Sequence, residues 1–211
     1  MSARDILPIA IAALSLVVAA ATFFMIQLGP PKISVHIGRL VELAYDKNRN
    51  ADLVVHATFI NASNRTGIVR DVAVTLRRVD GSQPQFFMLW DDFMRYDEEA
   101  DEYEITEIAH ALALPGKEAV HQIIWFSWFG TLPTNLEYRA GKYELTFWWW
   151  EGSGQPPKKQ ARVLEVTGAE FRELERHRAA RDEVLTEIPL ERTYEANMTL
   201  GDEKVRDLLG G

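Results

Sequence analysis

Five histidines, His36, His56, His110, His121 and His177, are the first residues in this 211-residue chain that could do chemistry, and no two of them have zinc-ligand spacing. The chain has no cysteine, which removes thiolate metal sites, disulfide frameworks and cysteine nucleophiles. It also lacks a Gly-x-Ser-x-Gly elbow, a phosphate-cradling Gly-x-x-x-x-Gly-Lys loop and a His-Glu-x-x-His helix. The expectation is therefore a non-enzyme with no cofactor.

Carboxylates are the denser resource. Asp91, Asp92, Asp97, Glu98, Glu99, Asp101, Glu102, Glu104 and Glu107 are accompanied by a single base, Arg95. The formal net charge of −8 resides in this segment, and the rest of the chain is electrically balanced. A calcium loop would alternate Asp-x-Asp-x-Asp-Gly, and no glycine is present to make that turn, which leaves at most loose calcium binding. One reading of Asp91, Asp92, Asp97, Glu98, Glu99, Asp101 and Glu102 is a solvated loop that guards an edge strand. The functional reading is a docking site that steers a basic soluble protein. Nucleic acid is not an expected partner, because neutralising phosphates needs a surplus of lysine and arginine.

The elements that would position these residues begin with an apolar run. Ile6 to Leu28 carries no formal charge over 23 residues and would reach about 34 Å as a helix. It reads as a single-pass transmembrane anchor ended by Gly29, Pro30 and Pro31. The competing reading is a cleaved signal peptide with Ala19 to Ala21 at the cleavage site, but apolar residues continue through Phe23 to Ile26. Pro8, Ala12, Ser15, Ala19 and Thr22 fall on one helix face, where small side chains would let another membrane helix approach. The expected location is a bacterial inner membrane, in contact with the lipid bilayer and with other membrane subunits, the following domain being periplasmic.

After Pro31 the hydrophobic period becomes two. Ile33 to Tyr45, Leu53 to Phe59, Val72 to Leu76, Phe86 to Trp90, Tyr103 to Ala109, Val120 to Trp128, Tyr143 to Trp150 and Ala161 to Val166 read as about eight strands. The Gly141-Lys142-Tyr143-Glu144-Leu145 run resembles the late-strand entry of immunoglobulin-like sandwiches, where a tyrosine hydroxyl meets backbone at a corner. That resemblance implies an immunoglobulin-like β-sandwich and implies no function. Several strands are apolar on both faces: period two points Trp148 and Trp150 away from a core filled by Phe147 and Trp149, and opposes Trp125 to Phe126. Trp125, Trp148 and Trp150 are thus candidates for a partner surface, or for cover by the C-terminal segment.

Thr167 to Thr186 reads as a polar helix with a thin apolar face, a solvated strut or an arm reaching a neighbour. Beyond it a tail carries Val205, Leu208 and Leu209, candidates for docking on another subunit. The expected domains are residues 1–31 as tail and anchor, 32–167 as sandwich, 168–188 as polar helix and 189–211 as docking tail. The expected function is a non-catalytic accessory or scaffold subunit of a larger bacterial membrane complex, in the energy-transducing, respiratory or photosynthetic class. The alternative is a tethered binding module whose acidic segment captures a basic protein or calcium.

Overall fold

The computed structural model describes residues 3–27, 29–100, 102–129, 134–152 and 154–190, with side chains described for residues 11–24 of the first helix. That helix, α1, runs Ala3–Gln27. Ten strands and a second helix follow: β1 Ile33–Tyr45, β2 Ala51–Asn61, β3 Gly67–Arg78, β4 Phe86–Asp97, β5 Glu102–Ile108, β6 Leu112–Leu114, β7 Ala119–Trp128, β8 Gly141–Glu151, β9 Lys158–Val166, α2 Gly168–Ala180 and β10 Thr186–Pro189.

The membrane anchor is not supported. Among the described residues no helix is long and apolar enough to cross a membrane. Residues 11 to 24 of α1 are all exposed. With the span goes the basis for the inner-membrane location. Of the residues expected on a packing stripe, Ala12, Ser15, Ala19 and Thr22 are exposed, and Pro8 lies outside the described side chains. Ser15 and Thr22 donate to the carbonyls of Ile11 and Val18 one turn back, at 2.9 and 2.8 Å.

The strands do not form the expected eight-stranded sandwich. They make one antiparallel, nearly closed, barrel-like sheet in the order β10-β1-β2-β7-β4-β3-β8-β9, with β5 added to β4 and β6 to β3. A sandwich reading fails at β4, which belongs to both halves. Ala73 to Leu76 of β3 pair with Phe86 to Leu89, whereas β7 pairs with Trp90 to Met94 across a register shift between Trp90 and Asp92. Such a bulge bends the strand so that its two ends can serve two sheet directions. At the other edge a single bridge, Leu164 to Leu190, brings β9 against the residue that follows β10. Alternation fixes which face of a strand points inward, and it is silent on which edges meet.

The interior is filled from all sides by the inward half of each alternation. Leu43, Leu53, Val55, Phe59 and Phe126 of one wall meet Val72, Val74, Leu145 and Phe147 of the other, all fully buried. Phe147 is the contact between the walls, with ring centroids 6.4 Å from both Phe59 and Phe126. The Tyr143 hydroxyl closes a corner on the backbone of Arg139, accepting from its N–H at 2.7 Å and donating to its carbonyl at 3.0 Å. Buried Asn61 ties the loops after β2 and β6 by donating to the carbonyls of Arg65 and Leu114 at 2.7 and 3.0 Å.

The polar helix is shorter than its periodicity suggests and is not a free arm. A capping box between Thr167 and Glu170 starts it, and Arg181 in a left-handed conformation ends it. Leu174 is buried and Phe171 packs on the core. Arg178 pairs with Glu137 and Glu175 and lies 4.8 Å above the Tyr45 ring. The stretch Thr186–Pro189, read from the sequence as the end of the helix and the start of the tail, is instead a strand that pairs with Leu40 to Leu43 of β1. Val205, Leu208 and Leu209 lie outside the described residues.

Candidate functional site

The site is built on the outer face of β1, β2, β7 and β4. On β1, Val41 and Leu43 point inward, so Glu42 points outward, and on β2 the same alternation sends Asp52, Val54 and His56 outward. Directly opposite Glu42 stand Val54 on one side and Glu187 of β10 on the other. An outward glutamate in such a row is ordinarily solvated. Glu42 is only 4% exposed.

Its cover is the acidic hairpin. β5 pairs only with β4, and in sheet order β5-β4-β7-β2-β1 it stands four strand spacings, about 19 Å, from β1. Yet the Tyr103 hydroxyl on β5 donates to Glu42 Oε1 at 2.6 Å. The hairpin must therefore fold back across the sheet face. What it covers is a small apolar layer of Val54, Met94 and Ile123, with Tyr103, Trp125 and Leu185 packed around it. Trp125, expected as part of a partner surface, is partly covered by the chain itself.

Between hairpin and sheet lies an open cleft of roughly 540 Å³, lined by Leu40, Glu42, His56, Tyr96, Tyr103, Leu185 and Glu187. His56 Nε2 is 3.3 Å from the Tyr103 hydroxyl and 3.7 Å from Glu42 Oε1. Since the hydroxyl donates to Glu42, the Tyr103–His56 contact needs a proton on Nε2. The second carboxylate oxygen of Glu42, Oε2, is buried and has no hydrogen-bond partner. Burial, the hydrogen bond to Glu42 and the nearby charge of Glu187 hold the Tyr103 phenol well above its ordinary range, so it remains a proton donor. Beside it the His56 and His121 rings lie 5.8 Å apart, and burial together with His56 pulls the His121 imidazole downward toward its neutral form.

The acids predicted for docking fall into two groups. Asp91 and Asp92 sit half-buried at the base of the hairpin, where burial and then Asp91 raise the Asp92 carboxyl. Asp97 closes the turn, its Oδ1 accepting from the N–H groups of Glu99 and Ala100 at 2.9 and 3.3 Å. Glu98, Glu99 and Glu102 are exposed around the tip, and Asp101 lies outside the described residues. Among the described residues no group of three or more histidines and acids could hold a metal ion.

The chain matches no protein-family model and no curated protein. Two solved structures are similar to it: a protein from Bordetella pertussis described as ApaA, and the sporulation control protein Spo0M from Bacillus subtilis. The first is 9% identical, with 78% of this chain and 98% of that chain covered and a TM-score of 0.33. The second is 11% identical, with 66% of this chain and 50% of that chain covered and a TM-score of 0.30. Neither assigns this chain a function.

The remaining predicted surface lies on the opposite wall. Trp148 and Trp150 point away from the core and are half-buried; the Trp148 indole N–H donates to Thr75 Oγ1 at 3.1 Å, and Lys159 Nζ lies 4.9 Å from its ring centroid. Phe87 and Leu89 on β4, on the far side of β3 from β8, are about half exposed. Sequence reasoning found these tryptophans and the acidic segment but missed Glu42, His56 and Tyr103 as a group. The one local signal was a glutamate between the core residues Val41 and Leu43, which alternation alone assigns to solvent.

Proposed function

We propose that this protein is a non-catalytic accessory protein that docks a basic segment of a partner protein at the β4–β5 hairpin. The observation that carries the reading is the fold-back of that hairpin. The hairpin carries exposed Glu98, Glu99 and Glu102 around its tip, and Glu42 and Glu187 line the cleft beneath it. Concentrated like charge on a low-dielectric wall raises the local concentration of an oppositely charged partner and speeds its association. Calcium is the weaker reading, because the described acids do not converge.

The test uses a fluorescent lysine-rich peptide and the full chain at about 50 and about 300 mM salt, across which surface attraction is strongly screened. The wild type should bind and should weaken with salt. The triple variant Glu98→Gln, Glu99→Gln, Glu102→Gln should bind severalfold more weakly and lose most of the salt dependence. Equal binding and equal salt dependence in the two proteins would overturn the proposal.

A further inference from the structure

Most ion-paired acids of this protein meet an arginine. Glu137 has Arg178 and Arg139, Glu144 has Arg77, Asp80 has Arg78, and Glu104 has Arg95. Glu42 does not, and unlike them it is buried, at 4% exposure. Its ion-pair partner among the described residues is His56 at 3.7 Å, and a second carboxylate, Glu187, stands directly across from it on β10. Burying a carboxylate costs several kcal/mol unless its oxygens are satisfied, and a like charge opposite adds to that cost. One oxygen is satisfied by Tyr103, and the other is bare, although it belongs to a residue lining an open cleft.

These are the parts of a cation site. A free, buried carboxylate oxygen supplies a strong acceptor in a low-dielectric setting, where a charge-assisted hydrogen bond is worth about twice a neutral one. Glu187 supplies a second acceptor from the rim. The rings of Tyr96 and Tyr103, with centroids 5.1 Å apart, form an aromatic wall suited to the aliphatic stem and charged head of a basic side chain. Leu40 and Leu185 complete an apolar margin.

We propose that the cleft receives one ammonium or guanidinium group, from a lysine or arginine of the docking partner, between Glu42 and Glu187 and against Tyr96 and Tyr103. The inference rests on the docking reading above and adds an anchor to it: the hairpin attracts a basic segment, and the cleft fixes one side chain of it.

Two kinds of variant separate these roles. The probes are a glycine-serine decapeptide carrying lysines, its arginine and norleucine counterparts, and free butylammonium. The lysine or arginine peptide should bind the full chain, and the norleucine peptide should not. Glu42→Gln keeps an acceptor for Tyr103 and should weaken binding by roughly tenfold or more while leaving the salt dependence nearly unchanged. Glu187→Gln, at an exposed position, should weaken it severalfold, and it decides the matter if Glu42→Gln melts early. Wild-type affinity in both variants overturns the anchor; the docking reading then survives only if the hairpin triple variant still loses binding. Butylammonium binding as tightly as the peptide would overturn a protein side chain as the source of the cation.

Discussion

Glu42 and Asp52 occupy adjacent strands, point to the same face of the sheet and are both buried, at 4% and 1% exposure, each with one carboxylate oxygen lacking a partner. They differ in their relation to the cleft. Glu42 borders the cleft, whereas Asp52 is absent from its lining. Burial raises the Asp52 carboxyl to about 7, against the opposing effect of hydrogen bonds from the Ser127 and Trp125 side chains. A sealed carboxyl takes up a proton to escape its charge. One that borders a cleft can be neutralised by a visitor, and the pair shows how one alternation pattern yields a structural acid and a binding acid.

The largest effect expected from this contrast is a pH dependence of stability centred on Asp52. Its unfolded value is near 3.8 and its folded value about 7, so the folded state binds the proton more tightly. Its burial is therefore without penalty below about pH 4, and the protein loses roughly 4 kcal/mol as pH rises through 7. Urea denaturation between pH 4 and 8 should show this decline, and Asp52→Asn should flatten it. An equally steep decline in the variant would show that Asp52 is not its origin.

Tyr103→Phe comes next, at about 1–3 kcal/mol of lost stability, because it leaves a buried carboxylate without its donor. Denaturant midpoints at pH 7 measure it, and a neutral result would mean that the hairpin lifts off the sheet in solution. Glu42→Gln should change the stability of the unliganded protein by less than about 1 kcal/mol in either direction, since it removes a buried charge while keeping the Tyr103 acceptor. A loss as large as that from Tyr103→Phe would make Glu42 a structural acid like Asp52 and erase the distinction. The smallest effect belongs to Ser127→Ala. Removing a hydrogen bond that favours the ionised form of Asp52 should move the midpoint of the pH dependence upward by a fraction of a unit, read from the same titration.

The strands were legible because alternation is local: Leu53, Val55, Ala57 and Phe59 announce an inward face without reference to any partner. The site was not, because it depends on where distant edges go. Nothing near Tyr103 in sequence says that its hydroxyl will reach Glu42, four strand spacings away in the sheet. The four residues of β10 were hidden for a related reason. Val184, Leu185 and Ile188 continue a helical spacing, and a four-residue strand is too short to establish a period of two against it. The apolar N-terminal run shows the opposite failure, in which composition spoke strongly for a membrane span that the described helix does not support.

The seam at Leu164 and Leu190 has a consequence for how the molecule assembles. The β1–β2, β3–β4, β4–β5 and β8–β9 neighbours in sequence can find one another by short searches, whereas β10 must return to β1 from the far end of the chain. Closing so long a loop is entropically late work, paid before its contacts return anything. Glu187 arrives with that last strand. The cleft therefore comes into being only when the ring of strands is finished, so a chain still on its way to the native state would carry the acidic lure without the anchor beneath it.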